Sequence, residues 1–154
     1  MSVQIVLGSK SDMKVAERAV TILKELGVKY KVNIASAHRT PELVDKLVSE
    51  ANAEVFIAIA GLSAALPGVI AARTIKPVIG VPVSGAVNLD SILSVVQMPP
   101  GIPVAGVGLD RGDNAALLAA EILALKDDSV KKSLIKYRQK MKDNVIQDSK
   151  DVEI

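Results

Sequence analysis

Val3-Gln4-Ile5-Val6-Leu7-Gly8-Ser9-Lys10-Ser11-Asp12 is the stretch whose reading decides the fold. Residues 3–7 form a short β-branched run, a strand, and Gly8 ends it. Over 11–26 the period changes: Val15, Ala19, Ile22, Leu23 and Leu26 recur at helical spacing, and Gly27 follows where a C-capping glycine belongs. The alternation then continues. Residues 30–35 read as a second strand, and Thr40-Pro41 opens a second helix with an N-cap threonine and a proline at the first helical position. Strands at 55–59, 78–81 and 103–107 alternate with helices at 64–74, 90–96 and 114–125. This order predicts an α/β fold, three-layered α/β/α, with a flavodoxin-like parallel sheet of about five strands covered on both faces. Such sheets bind ligands outside the carboxyl ends of their strands. Gly8-Ser9, Ser36-Ala37-His38 and Gly61-Leu62-Ser63 all fall at those ends, so three loops remote in sequence are expected to meet in space.

The chain of 154 residues is expected to be a single domain, 1–154, with a core over about 1–126 and an extra C-terminal helix over about 128–147. In that helix Val130, Leu134, Tyr137, Met141 and Val145 make an apolar stripe among Lys, Arg and Asp. Two readings stand: a helix packed on its own domain, or one lent to a neighbouring subunit. Apolar residues make up 49% and aromatic ones 2%, so the core must be built from Val, Ile, Leu and Ala. The 19 basic and 17 acidic residues leave a net charge of +2, which with so few stacking rings argues against nucleic acid as a partner. Cysteine is absent, which excludes a disulfide framework, a thiol nucleophile and a zinc-thiolate site. The first residues do not read as a signal peptide, so a cytoplasmic protein is expected. The uncharged stretch 55–72 has the length of a membrane span, but Gly61, Pro67 and Gly68 interrupt it and Arg73 follows. A buried strand, a glycine turn and a helix start explain it better, and no membrane partner is expected.

His38, the sole histidine, sits in Ser36-Ala37-His38-Arg39-Thr40-Pro41. It is the one side chain suited to move a proton near neutral pH. Arg39 beside it has the fork that grips a phosphate or carboxylate. A lone histidine is most often a surface or core residue, and a lone arginine a solvated charge; their joint place at a strand end shifts the reading toward function. In Gly8-Ser9-Lys10-Ser11-Asp12, amides at a helix start and two hydroxyls favour an anion. Asp12 would repel a phosphate at close range and better suits sugar hydroxyls. The plain alternative is an ordinary cap by Ser9 or Ser11. The segment fits neither GxxxxGK[ST] nor GxGxxG. The small, apolar 61–68 stretch would let a flat ring approach backbone, or serve as a tight turn. No metal site is evident, because the carboxylates do not cluster, and no GxSxG elbow supports a Ser-His-Asp triad.

Taken in order, Gly8-Ser9-Lys10-Ser11-Asp12, Ser36-Ala37-His38-Arg39-Thr40-Pro41, Gly80-Val81-Pro82-Val83, Gln97-Met98-Pro99-Pro100-Gly101-Ile102-Pro103-Val104 and Asn114-Ala115-Ala116-Leu117-Leu118-Ala119 resemble the PurE family of purine biosynthesis. The segments span residues 3 to about 125; each is weak alone, and as an ordered set they are highly specific.

The resemblance implies placement of a carboxyl group on carbon 4 of aminoimidazole ribonucleotide. One class moves it from the exocyclic nitrogen of N5-carboxyaminoimidazole ribonucleotide, as a mutase; the other takes CO2 directly. It implies no metal, nucleotide or organic cofactor, a homo-octamer whose last helix reaches a neighbour, and an ATP-dependent carboxylating enzyme as a partner for the mutase class. His38 matches the catalytic histidine. Asp12 is expected at the ribose hydroxyls, Arg39 and Ser11 at the phosphate with Ser36 assisting, Ser9 toward the carboxylate end, and the Gly61–Ser63 loop around the CO2 or ring carboxylate. The chain departs from the commoner bacterial mutases after the third strand. Their longer loop ends Ala-Ala-His-Leu-Pro-Gly; here it is shorter, and Ala65 stands where the second histidine would be. That length is nearer to the CO2-using class. Direct carboxylation and a nucleotide-binding paralogue without turnover are therefore the alternatives to a mutase. Carboxylation of a pyridinium nucleotide is disfavoured, because such relatives carry an additional N-terminal region. A plain flavodoxin-like binding module is disfavoured by Asp12, His38 and Arg39 occurring together.

Overall fold

A computed structural model describes residues 1–152. Five strands, β1 (Ser2–Leu7), β2 (Lys29–Ile34), β3 (Val55–Ala60), β4 (Val78–Pro82) and β5 (Ala105–Gly106), form one parallel sheet in the order β2-β1-β3-β4-β5. The register pairs Val3 with Tyr30 and Val55, and Phe56 with Val78. All six residues of β3 are buried, as the central strand of a sheet covered on both faces requires.

Six helices cover the sheet: α1 (Met13–Glu25), α2 (Pro41–Ser49), α3 (Leu66–Ala71), α4 (Asn88–Val96), α5 (Gly112–Ala124) and α6 (Asp128–Asp151). Alternate side chains of each strand point to opposite faces. Ile5, Leu7, Ile57 and Ile59 therefore join Ala19 and Leu23 of α1, Ala116 and Ala119 of α5, and Val130 and Leu134 of α6. Val6, Phe56 and Ala58 instead meet Val44 and Val48 of α2, Leu66 and Ile70 of α3, and Val95 of α4. The architecture is the expected α/β/α sandwich, with its core aliphatic apart from Phe56.

Several boundaries differ from expectation. The first helix begins later, after a 3-10 turn at Lys10–Asp12, because the Asp12 carboxylate reaches back to Ser9. At its far end Gly27 adopts φ +71°, the Gly27 N–H donates to the Lys24 carbonyl and the Val28 N–H to the Leu23 carbonyl, the paired bonds of a Schellman cap. Thr40 precedes α2 as expected, with Pro41 in the first turn, but its hydroxyl does not cap the helix; it accepts from the Ser36 N–H. The third helix is only six residues long: the Ala65 N–H turns back onto the Ser63 carbonyl before it, and at its far end the Arg73 N–H already tightens onto the Ile70 carbonyl. β5 shrinks to two residues at the sheet edge, where Pro103 has no amide to donate. The stretch 55–72 resolves into β3, a turn and α3, and among the described residues no helix is long and apolar enough to cross a membrane. The last helix runs past its expected end, to Asp151, and serves its own chain for half its length. Val130 and Leu134 are buried, whereas Met141 and Val145 on the same stripe are 51% and 67% exposed.

Candidate active site

Chain direction places the site. α1, after β1, lies on one face of the sheet; α2 and α3, after β2 and β3, lie on the other. Between β1 and β3 the connections therefore diverge, and a crevice opens at the carboxyl ends of these strands. A cavity of about 500 Å³ occupies it. Gly8, Ser9, Ser11 and Asp12 line it from the loop after β1, and Ser36, His38 and Arg39 from the loop after β2. Gly61, Ser63 and Ala65 line it from the loop after β3. Every residue singled out as a candidate in the sequence thus reaches one cavity. A fourth loop adds Val83, which closes the quoted Gly80–Val83 segment, and Ser84, which was missed in the sequence. The strand-end argument applied to β4 would have reached it.

The first two loops are tied together. Arg39 donates from its terminal nitrogen to the Gly8 carbonyl oxygen at 3.1 Å and from Nε to Ser36 Oγ at 3.3 Å. Its backbone N–H also donates to Ser36 Oγ, at 3.2 Å. Ser36 is therefore first a support for Arg39. The remaining guanidinium edge is exposed beside the Gly8–Ser9 turn.

Asp12 is only 5% exposed and is held by its own segment. Its Oδ2 accepts from the Ser9 N–H at 2.9 Å and from Ser9 Oγ at 3.3 Å, and its Oδ1 from Ser11 Oγ at 3.4 Å. The two serine hydroxyls lie 2.5 Å apart. The capping expected of this segment and its place on the cavity are both real: one carboxylate shapes the turn and forms part of the wall. A carboxylate bears about four lone-pair sites, so it retains acceptor capacity for a ligand hydroxyl.

His38 is exposed on the cavity rim, open to a ligand on its loop side. Opposite, Gly61 is not forced by the chain's own packing: a Cβ there would meet Val83 at 3.8 Å, an ordinary contact. Ser63 adopts φ +48°, a left-handed conformation that costs a side-chain-bearing residue. Ala65, where the second histidine of longer loops would stand, presents a methyl group to the cavity. Among the described residues no three His, Cys, Asp or Glu side chains gather where a metal could be held.

This is a doubly wound α/β protein whose cavity is furnished for an anionic, hydroxyl-bearing small molecule next to a proton-transfer group. Comparison with known proteins narrows that class. The AIR carboxylase family matches residues 2–144. The N5-carboxyaminoimidazole ribonucleotide mutase of Methanocaldococcus jannaschii is 64% identical over 142 residues, covering 92% of this chain and 90% of that protein. The mutase of Pyrococcus abyssi is 53% identical over 145 residues, covering 91% and 83%. The crystal structure of Treponema denticola PurE superposes with a TM-score of 0.88 at 34% identity, covering 99% of this chain and 98% of that one. The chain belongs to the AIR carboxylase, or PurE, family.

Proposed function

We propose that this chain is an N5-carboxyaminoimidazole ribonucleotide mutase of purine biosynthesis, an isomerase that forms 4-carboxy-5-aminoimidazole ribonucleotide. The observation that carries the reading is the convergence of His38, Arg39, Ser9, Ser11 and Asp12 on one cavity at the β1/β3 crevice, in a chain 64% identical to a mutase. Arg39 and Ser11 take the phosphate end, Ser36 steadies Arg39, Asp12 takes the ribose hydroxyls, and Ser9 lies toward the carboxylate end. His38 hands a proton to the departing nitrogen and removes one from carbon 4, two transfers that suit an imidazole near neutral pH. The Gly61–Ser63 loop faces the migrating carboxyl group.

The half-exposed stripe of α6 supports assembly with further copies of the chain, for which an octamer is the family's precedent. The single-domain organisation, a cytoplasmic location and a partner enzyme that supplies the carbamate belong to the same proposal.

Two feeds test it. Purified protein receives aminoimidazole ribonucleotide with high bicarbonate, or fresh N5-carboxyaminoimidazole ribonucleotide with free CO2 scavenged. Faster formation of the C4-carboxylated nucleotide from the second feed is expected. Product from the first alone would make the chain a direct carboxylase, and no product from either would make it a binding paralogue.

A further inference from the structure

The wall facing the migrating carboxyl group is a strained loop held from outside the cavity. Gly61, Ser63 and Ala65 face the ligand space, yet the tip of this loop has little packing of its own: Leu62 is 80% exposed and Ser63 is exposed as well. Ser63 holds φ +48°, which a residue other than glycine keeps only when its surroundings enforce it. Two bonds do so. The Ala65 N–H turns back onto the Ser63 carbonyl oxygen, and the Ser63 N–H donates to Asp90 Oδ2 at 2.6 Å. Asp90 lies in the first turn of α4, 27 residues further along the chain, half-buried and outside the cavity lining. Its bond is the charge-assisted one of the pair.

We infer that Asp90 is a positioning residue that keeps the 61–65 loop closed while the carboxyl group is bonded to neither atom of the substrate. The inference rests on the mutase reading. In that reaction the exocyclic N–C bond breaks, its electron pair stays on nitrogen, which takes a proton, and CO2 is set free. Carbon 4 then attacks CO2 with a ring electron pair, the new C–C bond forms, and the C4 proton is given up, so one proton enters and one leaves. Free CO2 is neutral and linear. Arg39 cannot grip it as it grips an anion, so the walls alone retain it. A loop loosened at Ser63 lets CO2 escape and leaves aminoimidazole ribonucleotide as the product.

The test is the partition of each turnover, which does not depend on how much enzyme is folded. Wild type, Asp90→Ala and Asp90→Asn receive N5-carboxyaminoimidazole ribonucleotide with CO2 scavenged. The ratio of aminoimidazole ribonucleotide to C4-carboxylated product is measured after subtracting non-enzymatic decay. The ratio should rise about tenfold in Asp90→Ala, the order expected for one lost charge-assisted hydrogen bond. Asp90→Asn, whose amide oxygen is a neutral acceptor for the same N–H, should lie between the two. KM should stay within a few-fold, because the phosphate and ribose are held elsewhere. Either variant, if folded, showing the wild-type ratio overturns the inference. A wild type that yields no C4-carboxylated product from this feed instead refutes the mutase reading beneath it.

Discussion

Replacing Arg39 removes the part of the cavity that joins two loops and, in the proposed function, holds the phosphate. A guanidinium carries five N–H donors. One is spent on Ser36 Oγ and one on the Gly8 carbonyl oxygen, which leaves the other three for a ligand. A phosphate taking two of them gains two charge-assisted bonds. Arg39 is exposed, so each belongs at the low end of its range, about 1.5 kcal/mol. Together they amount to about 3 kcal/mol, or about 10²-fold in affinity. Arg39→Ala should therefore raise KM by about 10²-fold while kcat moves by only a few-fold, since the phosphate is gripped equally before and during the reaction. Arg39→Lys keeps the charge but cannot bridge Gly8 and Ser36 while holding a phosphate, so its KM should fall between the two. Initial rates with N5-carboxyaminoimidazole ribonucleotide over a range of concentrations supply both constants. An Arg39→Ala enzyme with a KM within threefold of wild type would refute the argument. A loss confined to kcat would move Arg39 to the reacting end of the substrate.

Other outcomes follow from the same geometry. His38→Asn should lower kcat by about 10²–10⁴-fold, the range for a lost general acid-base, with nucleotide affinity within a few-fold by calorimetry. A Cβ on Gly112 would collide with the Val15 carbonyl oxygen where α5 crosses α1. Gly112→Ala should thus cost about 3 kcal/mol or more and lower Tm by about 6–12 °C in a thermal melt. Asp127 caps α6 through the Ser129 N–H and hydroxyl and the Val130 N–H, and these bonds, that of the Ser129 hydroxyl foremost, hold its carboxyl below the ordinary 3.8. A lowered folded pKa stabilises above the unfolded value and is lost as pH falls through the folded one. Asp127→Ala should therefore quicken amide exchange at Ser129 and Val130 at pH 7, and the difference from wild type should shrink as the carboxyl is protonated in acid, below the ordinary 3.8.

Residues whose conformation is governed by their neighbours in the chain were legible in the sequence. The apolar run of β3 reads as a buried strand because it is short, uncharged and closed by Gly61, and all six of its residues are indeed buried. Gly27 reads as a helix stop because the cap it forms needs φ +71°, which glycine adopts without penalty. The site was legible to the extent that it lies at strand ends: the loops at Gly8, Ser36 and Gly61 come together because parallel strands share one direction. Ser84 sits just after β4 under the same rule, but a lone serine there carries no chemical signature of its own. Thr40 carries the right residue for a cap, yet its hydroxyl is engaged by the Ser36 backbone, a competition that residue type does not settle. The extent of β5 depended on which edge it occupies and on Pro103.

Asp90 illustrates the limit most sharply. Nothing in Asn88-Leu89-Asp90 distinguishes its carboxylate from any acid in the first turn of a helix. Its meeting with the Ser63 N–H, 27 residues away, exists only because β3 and β4 are adjacent and parallel. By itself the sequence determined the alternation of strands and helices, the aliphatic core and the sole side chain suited to carry a proton near neutral pH, since these depend on local periodicity and on residue chemistry. The tertiary structure alone decided which backbone amides meet which carboxylates, how Arg39 divides its donors, and how far α6 leaves its own domain. Those depend on distances between segments remote in the chain, which only the packing of the sheet and its two helical layers sets.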